Sequence, residues 1–258
     1  MQKDYFSRQS ESYLRFRPTY PKALFKWLTR DLKEGSLIWD CATGNGQAAI
    51  SFGKEFKVIA TDQSRSQLNL HLSSENILYV QAPAEVSPFP AASISLITVA
   101  QALHWFNFDL FFDEVERVLK PRGVIAAWTY SFLTASPQLG VDIDNCVREF
   151  YQDVVGPYWP PERTWVDKLY ETIPFPFLQL PSPTFEIEVF WNLDHLIGYV
   201  RSWSAVGEYK KAGFSDPIPL LRTRLNSVWG KRNKVRQMRW VLGLRVGTVR
   251  NNTACSRG

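Results

Sequence analysis

The chain has 258 residues, 45% of them hydrophobic, enough for one large domain with a sizeable core. It holds no run of 18 or more apolar residues, which excludes a helical membrane span, and its start, MQKDYFSRQSESYLRF, lacks the apolar middle of a secretory signal, so a cytoplasmic protein is expected. The net charge is only +5, and the three cysteines Cys41, Cys146 and Cys255 form neither a metal spacing nor an even disulfide framework.

Short apolar runs alternate with helical patterns through the first half. Strands are predicted over 38–42, 57–61, 77–80, 94–100 and 124–128, and helices over 21–32, 47–55, 64–72 and 107–120. The last helix carries the plainest signal. Phe108, Phe111, Phe112, Val115 and Leu119 recur at helical spacing, Asn107 can cap it, and Pro121 follows its end. Strand–helix alternation of this kind predicts an α/β fold with a doubly wound, mostly parallel sheet. Strands covered on both faces are near-continuously apolar, as ISLITVA is.

The second half differs. Residues 131–183 are rich in proline and aromatics, with no strong period. TFEIEVFW then alternates, with Phe185, Ile187, Val189 and Trp191 on one face, and RWVLGLRVGTV alternates with Trp240, Leu242, Leu244 and Val246 on one face. These two strands are expected to complete the first-half sheet to seven, the last antiparallel. The helical stretches between them would form a cap. The organisation predicted is a single domain over 1–250, with a lid over about 1–20, cap insertions over 131–183 and 192–236, and a disordered tail at 251–258. Lys231 to Arg239 is strongly basic, but without interleaved aromatics it reads better as a solvated connection than as a nucleic-acid surface.

The first strand–helix turn, WDCATGNGQAAI, is where backbone comes closest to a ligand in such sheets. Gly44-x-Gly46-x-x-Ala49 fits a relaxed dinucleotide fingerprint, and it also fits a plain turn. Asp40, at the end of the strand, decides between ligands: a carboxylate there repels a pyrophosphate and favours an ammonium. Asp62, 22 residues on, can accept both hydroxyls of a ribose. A ribose joined to a cationic amino-acid end, without phosphates, describes S-adenosylmethionine.

With these residues the chain resembles the class I S-adenosylmethionine-dependent methyltransferases, and among them the small-molecule group that includes the trans-aconitate methyltransferases. The resemblance covers nearly the whole chain and implies a Rossmann-like fold. It implies that Asp40, Ala42, Gly44 and Gly46 hold the methionine end and that Asp62, with Gln63 beside it, holds the ribose. Ala84 and Glu85 of APAEVSPF would lie along adenine. Gln101, Ala102 and Leu103 of QALHW would lie by the methyl donor, and Tyr13, Arg17 and Tyr20 of YLRFRPTYP would fold over the cofactor. Some positions depart from the family pattern. Ala42 replaces a loop glycine, so a negative φ is expected there. Pro83 replaces an acid, Ser95 an aspartate, Arg122 a glycine and Val241 a proline.

Methyl transfer asks mainly for alignment and exclusion of water. A carboxylate acceptor needs no base, whereas a phenol, amine or ring alcohol loses a proton on the way. His104, after the fourth strand, could be that base, a donor orienting an acceptor carboxylate, or a structural histidine. Trp105 and Phe106 could wall the donor or simply fill the core. On a helix 193–204, Arg201 shares a face with Ile197 and Ser204 while Trp203 shares one with Leu196 and Tyr199. Arg201 is therefore expected to face a pocket and to clamp an acceptor carboxylate, with a surface salt bridge as the alternative. The function expected is O-methylation of a small organic acid, with His104 and Arg201 as the catalytic pair and no metal or membrane partner. A nucleic-acid acceptor, a silent cofactor-binding protein and a dinucleotide dehydrogenase rank behind it.

Overall fold

The structure, a computed structural model, describes residues 16–130, 132–135 and 141–249. Tyr13 and the tail 251–258 lie outside the described residues. In chain order the strands are β1 (Leu37–Cys41), β2 (Lys57–Asp62), β3 (Ile77–Gln81), β4 (Ile94–Ala100), β5 (Leu119–Tyr130), β6 (Thr134–Ala135), β7 (Leu178–Gln179), β8 (Glu186–Trp191) and β9 (Arg236–Thr248). The α-helices are α1 (Lys22–Thr29), α2 (Ala49–Phe52), α3 (Arg65–Leu68), α4 (Phe108–Val118), α5 (Val141–Glu149), α6 (Arg163–Asp167), α7 (Leu193–Arg201), α8 (Ser204–Lys211) and α9 (Ile218–Trp229). Among the described residues no helix is long and apolar enough to cross a membrane.

The chain divides into two compact units. One comprises Lys22–Tyr130, Lys168–Phe185 and the chain from Leu242 onward. Its sheet runs β3-β2-β1-β4-β5-β9. The first five strands are parallel, residues 242–248 of β9 run antiparallel to β5, and β7 runs antiparallel along the end of β9. The strand order reverses between β1 and β4, so the loops after those two strands flank the crevice where such sheets bind ligands. Both strands are buried almost throughout, which is why their sequences are continuously apolar. Trp39 packs with Phe89 and with Phe111 of α4, while Trp128 and Phe52 pack with Phe25 of α1.

Helix α4 follows the sequence closely. Asn107 caps it by accepting from the Leu110 N–H at 3.3 Å, and Phe111, Phe112, Val115 and Val118 make its buried face. It stops at Val118, two residues before the expected end, because Leu119 is already extended and enters β5. That strand is longer than predicted and pairs irregularly with β4 between Ile94 and Leu96. Arg122 lies in the irregular stretch with φ +66°, the left-handed conformation that suits the glycine expected there. Two predicted helices shrink: 47–55 to Ala49–Phe52 and 64–72 to Arg65–Leu68, leaving His71 outside the helix.

The other unit comprises the described residues of 1–21, 131–167 and 186–241. Residues 236–241 of β9 form its strand core, with β8 and β6 antiparallel to them. Two expectations need correction here. TFEIEVFW does not join the parallel sheet but pairs with 236–241. Residues 168–183 do not belong with a cap either: Phe175 and Phe177 pack on Phe112, and β7 extends the parallel-sheet unit. The predicted helix 193–204 breaks at Ser202, and Trp203, 4% exposed, starts α8 from the buried side. Trp240 packs edge to face on Trp191 and Tyr199, which are tilted against each other, with His195 stacked on Trp191. The basic stretch is largely spoken for: Arg232 pairs with Asp194, Arg239 with Glu188, and Arg236 donates to the Trp229 carbonyl.

The turn after β1 overturns the expectation for Ala42. Its φ is +51°, a left-handed conformation in a residue with a Cβ. Asp40 and Thr43 hold the chain on either side, so the turn keeps the shape a glycine would give and the alanine carries the strain, about 1 kcal/mol. Replacing Ala42 with Gly is expected to raise Tm by about 1–3 °C, and Ala42→Val to lower it, both read by calorimetry.

Glu114 of α4, 8% exposed, accepts from the Ser87 backbone N–H at 2.7 Å and from the Ser87 hydroxyl, and pairs with Arg117 at 2.7 Å. Burial pushes its carboxyl up, but the bonds from Arg117 and Ser87 outweigh that and hold it below its ordinary value. A depressed acid stabilises the fold above its unfolded pKa and loses that contribution as pH falls through the folded one. Glu114→Gln should therefore cost about 2 kcal/mol at pH 7 in urea unfolding, with the m-value unchanged and the difference shrinking below about pH 4.

Candidate cofactor site

Asp40 is enclosed, with no exposed surface. One carboxylate oxygen accepts from the Thr43 hydroxyl at 2.5 Å and the other from the Thr98 hydroxyl at 2.7 Å. Thr98 lies beside Asp40 in the β1–β4 register, so the pair ties the glycine loop to the neighbouring strand. Burial pushes the Asp40 carboxyl up to about 6, against the pull of Thr43, Thr98 and the Ala49 backbone, with the Asp62 charge adding to the rise. The carboxyl is wholly enclosed, so any action on a cation would run through the field of its charge and the loop it holds.

Asp62, 8% exposed at the end of β2, accepts from the Gly44 N–H and the Ser64 N–H, each at 2.8 Å. It thereby joins the first loop to the second. Gly44 and Gly46 both have positive φ, +59° and +88°. The two glycines differ in surroundings. A Cβ on Gly44 would meet nothing nearer than Gln67 at 3.9 Å, whereas a Cβ on Gly46 would sit 2.1 Å from the Tyr79 hydroxyl. Gly46 is therefore demanded by Tyr79 of β3, whose hydroxyl donates to the Leu72 carbonyl at 2.8 Å. Leu72 in turn donates its N–H to the Asn45 carbonyl, so the segment after α3 straps the loop. Burial and the Asp40 charge push the Tyr79 hydroxyl up to about 12, and burial keeps the Cys41 thiol protonated, a small buried filler.

Ala84, 8% exposed, and Glu85 follow β3. Glu85 accepts from the Asn107 N–H at 3.0 Å, joining this loop to the start of α4, and the Glu114–Ser87 contact fixes its far side. The backbone of Gln63 accepts from Gln81 at 3.1 Å. After β4, Gln101 takes φ +58° and its side chain is fixed to β5, accepting from Thr129 at 2.8 Å. Ala102 and Leu103, 8% and 0% exposed, lead into a single 3-10 turn, Leu103–Trp105.

His104 in that turn is 8% exposed, with its Nδ1 2.8 Å from the hydroxyl of Tyr170 and its ring against Trp105. Tyr170 is fully buried, and both it and Leu169 have positive φ, +64° and +51°. A left-handed conformation costs a residue with a Cβ about 1–2 kcal/mol. Nothing in the sequence singles out Tyr170, which lies in an aperiodic aromatic stretch and meets His104 only through the fold. Thr43 and Thr98 were missed for a related reason: a threonine becomes a carboxylate partner only once the register is known.

Three expected residues lie in the other unit. Arg17 donates to the hydroxyl and carbonyl of Ser202, at 3.0 and 3.2 Å, with its guanidinium over the Tyr199 ring. Tyr20 is partly exposed on the segment before α1. Arg201 is half exposed and paired with Asp216 at 2.9 Å, the surface salt bridge that stood as its alternative reading. Among the described residues no group of His, Cys, Asp and Glu could hold a metal ion.

Comparison with known proteins agrees with this geometry. A family profile described as a methyltransferase domain matches residues 39–127, from β1 through most of β5. A Dictyostelium discoideum protein that carries a methyltransferase name is 32% identical over 224 residues, 86% of this chain and 85% of that protein. A Saccharomyces cerevisiae protein named for S-adenosylmethionine-dependent methyl transfer is 28% identical over 166 residues, 58% of this chain and 55% of that protein. A solved structure from Anaeromyxobacter dehalogenans, with a type II methyltransferase name, shares 36% identity and a TM-score of 0.82 over 90% of this chain and 97% of its own. The mostly parallel sheet, its strained loop beneath the reversal of strand order and the paired acids Asp40 and Asp62 thus have one common explanation: this chain belongs to the S-adenosylmethionine-dependent methyltransferases.

Proposed function

We propose that this methyltransferase acts on a small organic acid and methylates a carboxylate oxygen, in the manner of the trans-aconitate methyltransferase group. The observation that carries the reading is His104: a nearly buried imidazole, held by Tyr170, in the turn that follows β4. The apolar residues around it, Ala102, Leu103 and Trp105, suit exclusion of water from a charged nucleophile. A Methylovorus sp. relative, 25% identical over 185 residues, is named a malonyl-[acyl-carrier protein] O-methyltransferase, which lends support from the chemistry of its acceptor.

The residues present fit the cofactor. The Asn45 side-chain nitrogen is buried in the glycine loop without a partner among the described residues, a donor that a bound carboxylate would satisfy. The space over Gly44 is open. In this reading Asp40, Ala42, Gly44 and Gly46 hold the methionine end, Asp62 and Gln63 the ribose, Ala84 and Glu85 the adenine, and Gln101, Ala102 and Leu103 the region of the sulfur. When bound, the donor would supply an electrophilic methyl, and a carboxylate acceptor would need no proton removed. The chain's own task is to orient the acceptor through His104 and to keep water out.

Radiolabelled methyl transfer to a panel of carboxylic acids tests the reading. The expected product is an ester that releases labelled methanol in alkali; label on phenols or amines alone removes the carboxylate assignment. Asp40 predicts a pH effect on binding. Its carboxyl is neutral below about pH 6 and charged above, so the affinity for the cationic donor relative to the neutral-sulfur product should rise several-fold between pH 5 and 7.5 in calorimetry. Asp40→Asn should flatten that dependence.

A further inference from the structure

We propose that Tyr170 is a positioning residue: its hydroxyl donates to His104 Nδ1, fixes the imidazole as the Nε2–H form, and so makes His104 a hydrogen-bond donor to an acceptor that arrives already ionised. The proposal rests on the reading of His104 as the acceptor-facing group and narrows that reading from a base or a donor to a donor alone.

The geometry is specific. The two ring centroids are 5.8 Å apart at 44°, so the rings do not stack, and the contact is the 2.8 Å approach of hydroxyl to Nδ1. A phenol, with a pKa of about 10, is a stronger hydrogen-bond donor than a neutral imidazole N–H and a weak acceptor, so the hydrogen belongs between the oxygen and an unprotonated Nδ1. The neutral ring then carries its one hydrogen on Nε2. Such a group cannot take a proton from an alcohol or phenol through Nε2, but it can hold one oxygen of a carboxylate while the other reacts. The hydrogen stays on the imidazole throughout the transfer.

The protein also goes to some length to set Tyr170 in place. Leu169 and Tyr170 are consecutive residues with left-handed backbone, a conformation bulky side chains rarely adopt singly. Arg245 on β9 clamps the segment, donating to the carbonyls of Tyr170, Glu171 and Ile173 at 2.8, 3.0 and 3.4 Å. Two residues before it on the same strand, Gly243 leaves room for the segment, since a Cβ there would lie 2.3 Å from the Leu169 carbonyl oxygen. Strain kept in a conformation that other groups over-determine is a mark of a functional position.

Two measurements test this. In the unmutated protein, ¹⁵N–¹H correlation of the imidazole ring should show the Nε2–H form for His104 at pH 7.5; the Nδ1–H form overturns the proposal. In steady-state kinetics, Tyr170→Phe should lower kcat about ten-fold while the Kd for S-adenosylhomocysteine changes less than two-fold. His104→Gln, whose side-chain amide can place an N–H near that of imidazole Nε2, should keep a tenth or more of the activity. Adding Tyr170→Phe to His104→Gln should then cost less than two-fold more, because Tyr170 acts only through the imidazole. Full additivity of the two substitutions, or a His104→Gln enzyme without activity, overturns it. If the unmutated enzyme methylates no acid, the proposed function fails by itself, and the ring measurement still decides the role of Tyr170.

Discussion

A single enclosed carboxylate organises the ligand-facing end of this sheet. Asp40 sits in the central strand with no contact with water, and the hydroxyls of Thr43 and Thr98 fill both of its oxygens. Those bonds fold the glycine loop back on its strand and join it to β4. The arrangement works against stability. A carboxyl whose folded pKa is raised from 3.8 to about 6 makes the fold less stable as pH rises across that interval, by about 3 kcal/mol, and the loss persists at neutral pH. A positive charge brought near it would favour the charged form and recover part of that energy.

Part of the backbone strain lies around the same crevice. Ala42 after β1, Gln101 after β4 and the pair Leu169–Tyr170 all take left-handed backbone without being glycine. Each is pinned by a nearby polar contact: Asp40 with Thr43, Thr129 with the Gln101 side chain, and Arg245 with the carbonyls beyond Tyr170. A loop that holds its shape before the ligand arrives loses less conformational entropy on binding. The stability given up at these positions is therefore spent on preorganisation.

The second half of the chain divides its residues between the two units. Residues 168–185 leave the region expected as a cap, bring Tyr170 to His104, and add β7 beside β9. The long strand β9 pairs with β8 through its first half and with β5 through its second. One continuous alternating sequence thus contributes to both units, and no composition shift or linker marks the point where it passes from one to the other.

Local sequence was enough for the parallel sheet, for α4 with its Asn107 cap, and for the ligand class at the first turn, because each depends on spacing within a few residues. Burial on both faces writes continuous apolar strands, a core-facing helix writes a 3.6-residue period, and an acid before a glycine loop writes its own charge. Asp40, Asp62, Gly44 and His104 could be placed at strand ends and in the loops that follow for that reason. Only the tertiary structure decided that Gly46 is crowded by Tyr79, that Arg201 meets Asp216, that 186–191 pairs outside the parallel sheet, and that a tyrosine 66 residues away holds His104. Those are contacts between distant segments. Their partners are chosen by register and by the direction of side chains in space, and neither leaves a period in the sequence.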